Sequence, residues 1–204
     1  MTGWRRALRE RRARGDRGVV LIEAAIAFPV FFLLVLGVIE YGFYMSASST
    51  TVSAAREGAR LGSAQMGTAT NKSTMADTIR DTVATDLHAL SRKDTPQRLW
   101  VYKAYSDGSP CTDLACASGT GFASCPSTTC YQYTNWNSST RTFTTKAGGW
   151  VTTDACGPVI DTIGVHLQVT HNYIAKVVGS TATLSERTVL RLEPLPNDQC
   201  PAGS

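Results

Sequence analysis

Between residues 19 and 45 the chain reads VVLIEAAIAFPVFFLLVLGVIEYGFYM, an apolar run interrupted by only two charges, Glu23 and Glu40. A helix of this length extends roughly 40 Å, more than the roughly 30 Å hydrocarbon core of a bilayer. The run therefore predicts one membrane-spanning helix. Two alternatives are a buried core helix and a secretory signal peptide cleaved at the small residues 46–48, although the apolar region of a signal peptide is shorter.

The positive charge of the chain is concentrated just before this run. Residues 1–18 hold seven arginines and two acidic residues, whereas the remaining residues carry a formal charge of −1. The sequence pI of about 8.8 therefore reflects one short arm, and we expect no nucleic-acid partner. By the positive-inside rule, the arm stays in the cytoplasm and the C-terminal portion lies outside the cytoplasmic membrane.

Glu23 lies five residues after Gly18, near the start of the apolar run. A carboxylate costs a few kcal/mol in hydrocarbon unless it finds a partner, so a glutamate inside the membrane indicates a function. The simpler alternative is that Glu23 extends to the interface near the end of the helix.

This arrangement resembles the signal of type IV prepilins, which a membrane peptidase cuts after the glycine. The segment from Gly18 through AAREGARLG at residues 54–62 is similar to the TadE/TadF family of pilin-like proteins from tight-adherence (Flp-type) pilus systems. One departure is Ala24, because an aromatic residue is common at that position. The matching positions are Gly18, Glu23, Pro29, Glu40, Ala55, Arg56, Gly58, Ala59 and Arg60, with a C-terminal Arg191-Leu-Glu193-Pro194 that also fits.

The resemblance implies a minor pilin or pseudopilin that contributes to pilus assembly, surface adhesion or secretion, and no enzyme. It implies that prepilin peptidase cleaves between Gly18 and Val19, and that other pilins and membrane assembly platform proteins are partners. The new amine of Val19 would neutralise Glu23 of a neighbouring subunit, and Pro29 and Glu40 would also belong to the assembly helix.

Beyond the apolar run, small residues recur at spacings of three and four. Such a face lets another helix approach closely, so we expect it to serve helix packing in assembly; the alternative is an ordinary solvated surface. Pro29 is expected to bend the helix, and Glu57 to pair with Arg60. The small residues are Ala55, Gly58, Ala59 and Gly62.

The pattern of the remaining chain predicts an α+β fold with an antiparallel sheet. We expect a basic leader (1–18), a transmembrane helix and stalk (19–64) and an extracytoplasmic domain (65–204). Within that domain, periodicity predicts an amphipathic helix over 74–91 and strands over 99–105, 163–173 and 188–192.

A Ser/Thr/Gly-rich insert, residues 106–156, is expected to be a polar, disulfide-rich loop. Its C-x4-C-x8-C-x4-C spacing differs from the C-x2-C pattern of structural zinc sites. Outside the cytoplasm disulfides are favoured, and we expect the four clustered cysteines to pair among themselves and Cys156 to join Cys200. The clustered cysteines are Cys111, Cys116, Cys125 and Cys130.

No catalytic, cofactor or metal site is expected. His166 and His171 are five residues apart on a predicted strand, so they point to opposite faces and cannot share a metal ion. His88 has no evident acidic or thiol partner.

A second hypothesis is a secreted or singly anchored, disulfide-rich surface protein that binds a ligand and has no part in a pilus. Aromatic residues of the insert would serve adhesion under either hypothesis, or else fill strand faces. They are Tyr131, Tyr133, Trp136, Phe143 and Trp150.

Overall fold

A computed structural model describes residues 3–105, 107–110, 128–151, 153–156, 160–176 and 179–200, without the side chains of residues 3–17 and 197. The fold is α+β, as predicted, with two helices followed by an antiparallel sheet. The elements are α1 (Gly3–Gln65), α2 (Lys72–Asp86), a 3-10 turn (Leu87–Ala89), β1 (Thr95–Ala104), β2 (Thr129–Asn137), β3 (Thr142–Trp150), β4 (Thr162–Asn172), β5 (Thr181–Arg191) and a second 3-10 turn (Asn197–Gln199). The strand order in the sheet is β3-β2-β1-β4-β5.

Helix α1 is longer than the sequence predicted, with 63 residues. It begins at Gly3 and includes most of the basic leader, where arginine, alanine, leucine and glutamate all favour helix. Pro29 lies inside α1 and removes one backbone donor, yet the helix continues through it.

Helix α2 confirms the predicted amphipathic helix. The Asn71 side chain caps its start by accepting hydrogen bonds from the backbone N–H groups of Ser73 (3.0 Å) and Thr74 (3.2 Å). The apolar face of this helix, including Ile79 and Val83, is buried. The helix ends at Asp86 and not near residue 91, because the chain tightens into the 3-10 turn.

The three predicted strands correspond to β1, β4 and β5, with β5 beginning seven residues earlier than predicted, at Thr181. The prediction of a polar loop over 106–156 was wrong for residues 129–150, which form the β2–β3 hairpin. Tyr131 and Tyr133 alternate with polar residues and are buried, so this strand has one apolar face despite its low aliphatic content.

The chain divides into two compact units. One contains Met1–Phe43 and Tyr173–Ser180; the other contains Tyr44–Asn172 and Thr181–Ser204. The second unit therefore includes the C-terminal third of α1 as well as α2 and all five strands of the sheet.

The core of the second unit depends on two glycines of α1 that lie against α2 and β4. A Cβ at Gly58 would come within 2.6 Å of Val83 Cγ2, and one at Gly62 within 2.4 Å of Ile163 Cδ1. At these two positions only glycine, which has no side-chain carbon, fits between the helix and the buried aliphatic groups. An interior packed this closely does not tolerate added volume.

The other face of the sheet holds Trp100 stacked on His166, with ring centroids 4.8 Å apart. His166 Nε2 lies 2.8 Å from Ser185 Oγ. Burial, and to a smaller degree the positive charge of Arg187, lower the pKa of His166 from 6.5 to about 4. The imidazole is therefore held neutral in the folded protein at pH values where it would be protonated in the unfolded chain.

Replacing Gly58 by leucine should destabilise the sheet-containing unit by about 1–3 kcal/mol, because the new side chain has no room against Val83. The midpoint of thermal unfolding of the full chain in detergent measures this. Gly42→Leu is the matched control, since Gly42 is on the same helix with no neighbouring atom within 4 Å of an added Cβ. Equal midpoints for the two variants would contradict the packing described.

Stability should fall as the pH is lowered from 6.5 towards about 4, because in that window the unfolded chain binds a proton that folded His166 does not. His166→Phe keeps a ring against Trp100 and removes the titration, so this part of the pH dependence should disappear from its unfolding midpoints. His88→Phe, at an exposed histidine, is the control and should retain the wild-type pH dependence. Identical pH profiles for all three proteins would refute the assignment.

Candidate functional site

The apolar part of α1 is exposed along its length. Between Val19 and Ile39 the large apolar side chains are 37–73% exposed. Soluble proteins rarely expose a continuous apolar surface of this size. In the described part of the chain, one helix, over Gly18–Gln65, is long and apolar enough to cross a membrane. The N-terminal helix thus has the properties of a membrane anchor.

The residues predicted for processing and assembly lie on this exposed surface. Gly18 has no neighbouring atom within 4 Å of an added Cβ, and Val19 is 56% exposed. Glu23 and Pro29 are exposed as well. The Glu23 carboxylate is therefore accessible to a partner.

Glu40, the second charge in the apolar run, lies in a different environment and is only 3% exposed. Its Oε1 atom accepts hydrogen bonds from the backbone N–H groups of Ala175 and Lys176, the latter at 3.3 Å. Lys176 has φ 55°, and this left-handed conformation helps to direct two successive N–H groups at one anion. Glu40 is thus bound to the turn between β4 and β5, a partnership the sequence did not predict.

The second carboxylate oxygen of Glu40, Oε2, is buried without a hydrogen-bond partner among the described residues. Burying a carboxylate with one oxygen lacking a hydrogen bond raises the free energy of the folded state. The hydrogen bonds from the two backbone N–H groups of the turn offset part of this penalty. Glu40 was expected to act in assembly, and the structure places it in a contact within the chain.

The small-residue face of α1 also makes contacts within the chain. Its members, Ala55, Gly58, Ala59 and Gly62, are buried. The neighbouring helix that the spacing predicted is present, but it is α2 of the same chain, joined by β4. These four residues therefore offer no free surface to a second subunit. On the exposed side, Glu57 pairs with Arg60 at 3.3 Å, as predicted.

Three of the six cysteines lie within the described residues. A disulfide joins Cys156 to Cys200, which is the pair that the sequence predicted. The two cysteines are 44 residues apart in sequence, so the bond ties the C-terminal tail to the rest of the domain. Cys130, at the start of β2, is also disulfide-bonded. Cys111, Cys116 and Cys125 lie outside the described residues.

The aromatic residues considered for adhesion mostly fill the core. Tyr131, Tyr133, Phe143 and Trp150 are buried, which corresponds to the strand-face alternative. Trp136 is half-buried and packs edge-on against Phe143 at 5.1 Å. It also lines a cavity of about 560 Å³ beside the first 3-10 turn, together with Arg92 and Arg141 among others.

Several buried polar pairs stabilise the sheet-containing unit and were not predicted. Lys103 and Asp161 form an ion pair at 2.8 Å, with both side chains nearly buried. His171 Nδ1 lies 2.8 Å from Asp94 Oδ1, on the face opposite to His166. No single stretch of sequence signals these pairs, since their members lie 58 and 77 residues apart. Among the described residues, no three metal-ligating side chains converge.

Comparison with known proteins identifies the N-terminal segment. Residues 18–60 match the family described as TadE-like protein. The matched segment includes the exposed apolar part of α1, Glu23, Glu40 and part of the small-residue face. No curated protein and no solved structure shows significant similarity to the chain. Residues 18–60 therefore form a TadE-like segment.

Proposed function

We propose that this protein is a membrane-anchored minor pilin or pseudopilin of a tight-adherence pilus, with a structural and not an enzymatic role. The observation that carries the proposal is the continuous exposed apolar surface of residues 19–39 with one exposed carboxylate, Glu23, near its start. Such a helix is suited first to a bilayer and then to a bundle of similar helices.

The arginine-rich leader, residues 1–18, orients the helix with its N-terminus in the cytoplasm and the domain over 65–204 outside. The disulfide between Cys156 and Cys200 supports this orientation, because disulfides persist in oxidising compartments. Residues 19–64 form the anchor and the helical stalk. Contributions to adhesion or secretion follow from incorporation into the pilus.

Prepilin peptidase is the proposed processing partner, and it cuts between Gly18 and Val19. The freed amine of Val19 and the Glu23 carboxylate of a neighbouring subunit then neutralise each other where helices meet in hydrocarbon. An unpaired carboxylate costs a few kcal/mol there, so the pair favours the assembled state. Other pilins and the membrane assembly platform are the remaining partners.

A second candidate is a singly anchored or secreted surface protein that binds a ligand outside any pilus. The cavity of about 560 Å³ beside Trp136 favours it, because a half-buried tryptophan near Arg92 and Arg141 offers both stacking and charge to a small polar ligand.

The mature N-terminus separates these candidates. N-terminal sequencing of the protein from membranes of a cell with a tight-adherence system should begin at Val19. Gly18→Leu should leave Met1 in place, because a side chain at the cleavage site blocks access, while Gly37→Leu in the same helix should be processed normally. A start near residue 48 would favour the secretory candidate, and an intact Met1 in the wild type would indicate a plain anchor.

Glu23→Ala should reduce incorporation into pili about tenfold or more, because a pair worth at least about 1.4 kcal/mol changes an equilibrium by that factor. Immunoblotting of sheared pili against the membrane fraction measures the ratio. Glu57→Ala removes an exposed carboxylate from the same helix and is the control. Wild-type incorporation of the Glu23 variant would show that the carboxylate has no part in assembly.

A further inference from the structure

We propose that residues 173–176, in the turn between β4 and β5, bind the phospholipid surface of the bilayer leaflet at the Glu40 end of the helix. This inference rests on the membrane anchoring proposed above and adds a second contact with the same membrane. The proposed ligand of the turn is phospholipid, which the turn contacts at the headgroup and the upper part of the acyl chains.

The position of the turn along α1 follows from Glu40. The Glu40 carboxylate accepts hydrogen bonds from the backbone N–H groups of Ala175 and Lys176, so the turn lies level with residue 40 of the helix. Tyr173 N–H donates to the Ser180 carbonyl at 3.1 Å, which closes the base of the turn. The turn is therefore fastened at one height on the helix.

That height coincides with the edge of the hydrocarbon core. Residues 19–39 form an exposed, largely apolar segment of α1, and at about 1.5 Å per residue they extend roughly 30 Å, the thickness of the core. Glu40 is the first buried residue after them. When this segment spans a bilayer, the turn is placed at the level of the headgroups.

The chemistry of the turn suits that level. Ile174 is 53% exposed at a position where hairpin turns normally carry polar residues. The neighbouring Lys176 is exposed, and residues 173–180 contain no acidic residue that would repel phosphate. An apolar side chain beside a lysine and Tyr173 has the composition of membrane-interface segments.

The helix presents the same chemistry at the same level. Tyr41 is 63% exposed and Phe43 is 48% exposed. Aromatic rings are enriched where hydrocarbon meets headgroups, so the interfacial surface is continuous from helix to turn. A protein partner would need a separate explanation for this coincidence with the end of the span, whereas phospholipid is already present there.

Photocrosslinking in proteoliposomes tests the proposal. Three variants of the full chain are made, each with p-benzoylphenylalanine at one position. The replaced residues are Val30 in the middle of the span, Ile174 in the turn between β4 and β5, and Thr140 in the polar turn between β2 and β3. Each variant is reconstituted into phosphatidylethanolamine–phosphatidylglycerol vesicles and irradiated, and lipid adducts are quantified by mass spectrometry. Thermal unfolding of each variant confirms that the fold is retained.

We expect lipid adducts at positions 30 and 174, with the yield at 174 exceeding that at 140 by at least about fivefold. Adducts at 30 without adducts at 174, or crosslinks from 174 mainly to a second copy of the chain, would overturn the membrane contact and leave the anchoring intact. Absence of adducts at 30 would refute the anchoring itself. Equal yields at 174 and 140 would mean that the turn has no special affinity for lipid.

Discussion

The close approach of α1 to α2 and β4 at Gly58 and Gly62 is the constraint on which the sheet-containing unit depends. Added Cβ atoms at these positions would come within 2.6 Å and 2.4 Å of buried aliphatic carbons, so only glycine lets the backbone reach this depth. The approach brings Ile79 and Ile163 together under the helix and buries a stripe of apolar residues from three elements. These glycines of α1 thus stabilise the chain's own fold.

Helix α1 performs two tasks with one regular geometry, and the composition of its surface separates them. From Val19 to Ile39 every large apolar side chain is exposed, whereas from Ala47 onwards small buried residues recur at helical spacing. Glu40 lies between the exposed apolar part of α1 and the part with small buried residues. As a carboxylate it is unsuited to either a lipid or a core environment, and two backbone donors of the β4–β5 turn provide the polar environment it needs.

The sequence predicted the features that come from local periodicity and missed those that come from distant contacts. The apolar run, the stripe of α2 and the alternation of β4 each identify their element, because the pattern is continuous along the chain. The β2–β3 hairpin was missed because its buried residues are mainly isolated aromatic residues, such as Tyr131 and Phe143, among polar neighbours. The residues that contact Glu40 and Gly58 lie far away in sequence. The sequence pattern therefore marked both positions as unusual but did not indicate which residues they contact.

The continuity of α1 through Gly18 bears on processing. The helix begins at Gly3, so the proposed scissile bond lies in regular helix, where a protease cannot bind it in an extended form. Glycine destabilises a helix interior by about 1 kcal/mol relative to alanine, which lowers the free energy needed to unwind that turn. No described side chain lies within 4 Å of a Cβ added at Gly18, so side-chain packing does not hold the helix at this residue. Gly18 is therefore suited to cleavage by its conformational freedom as well as by its small size.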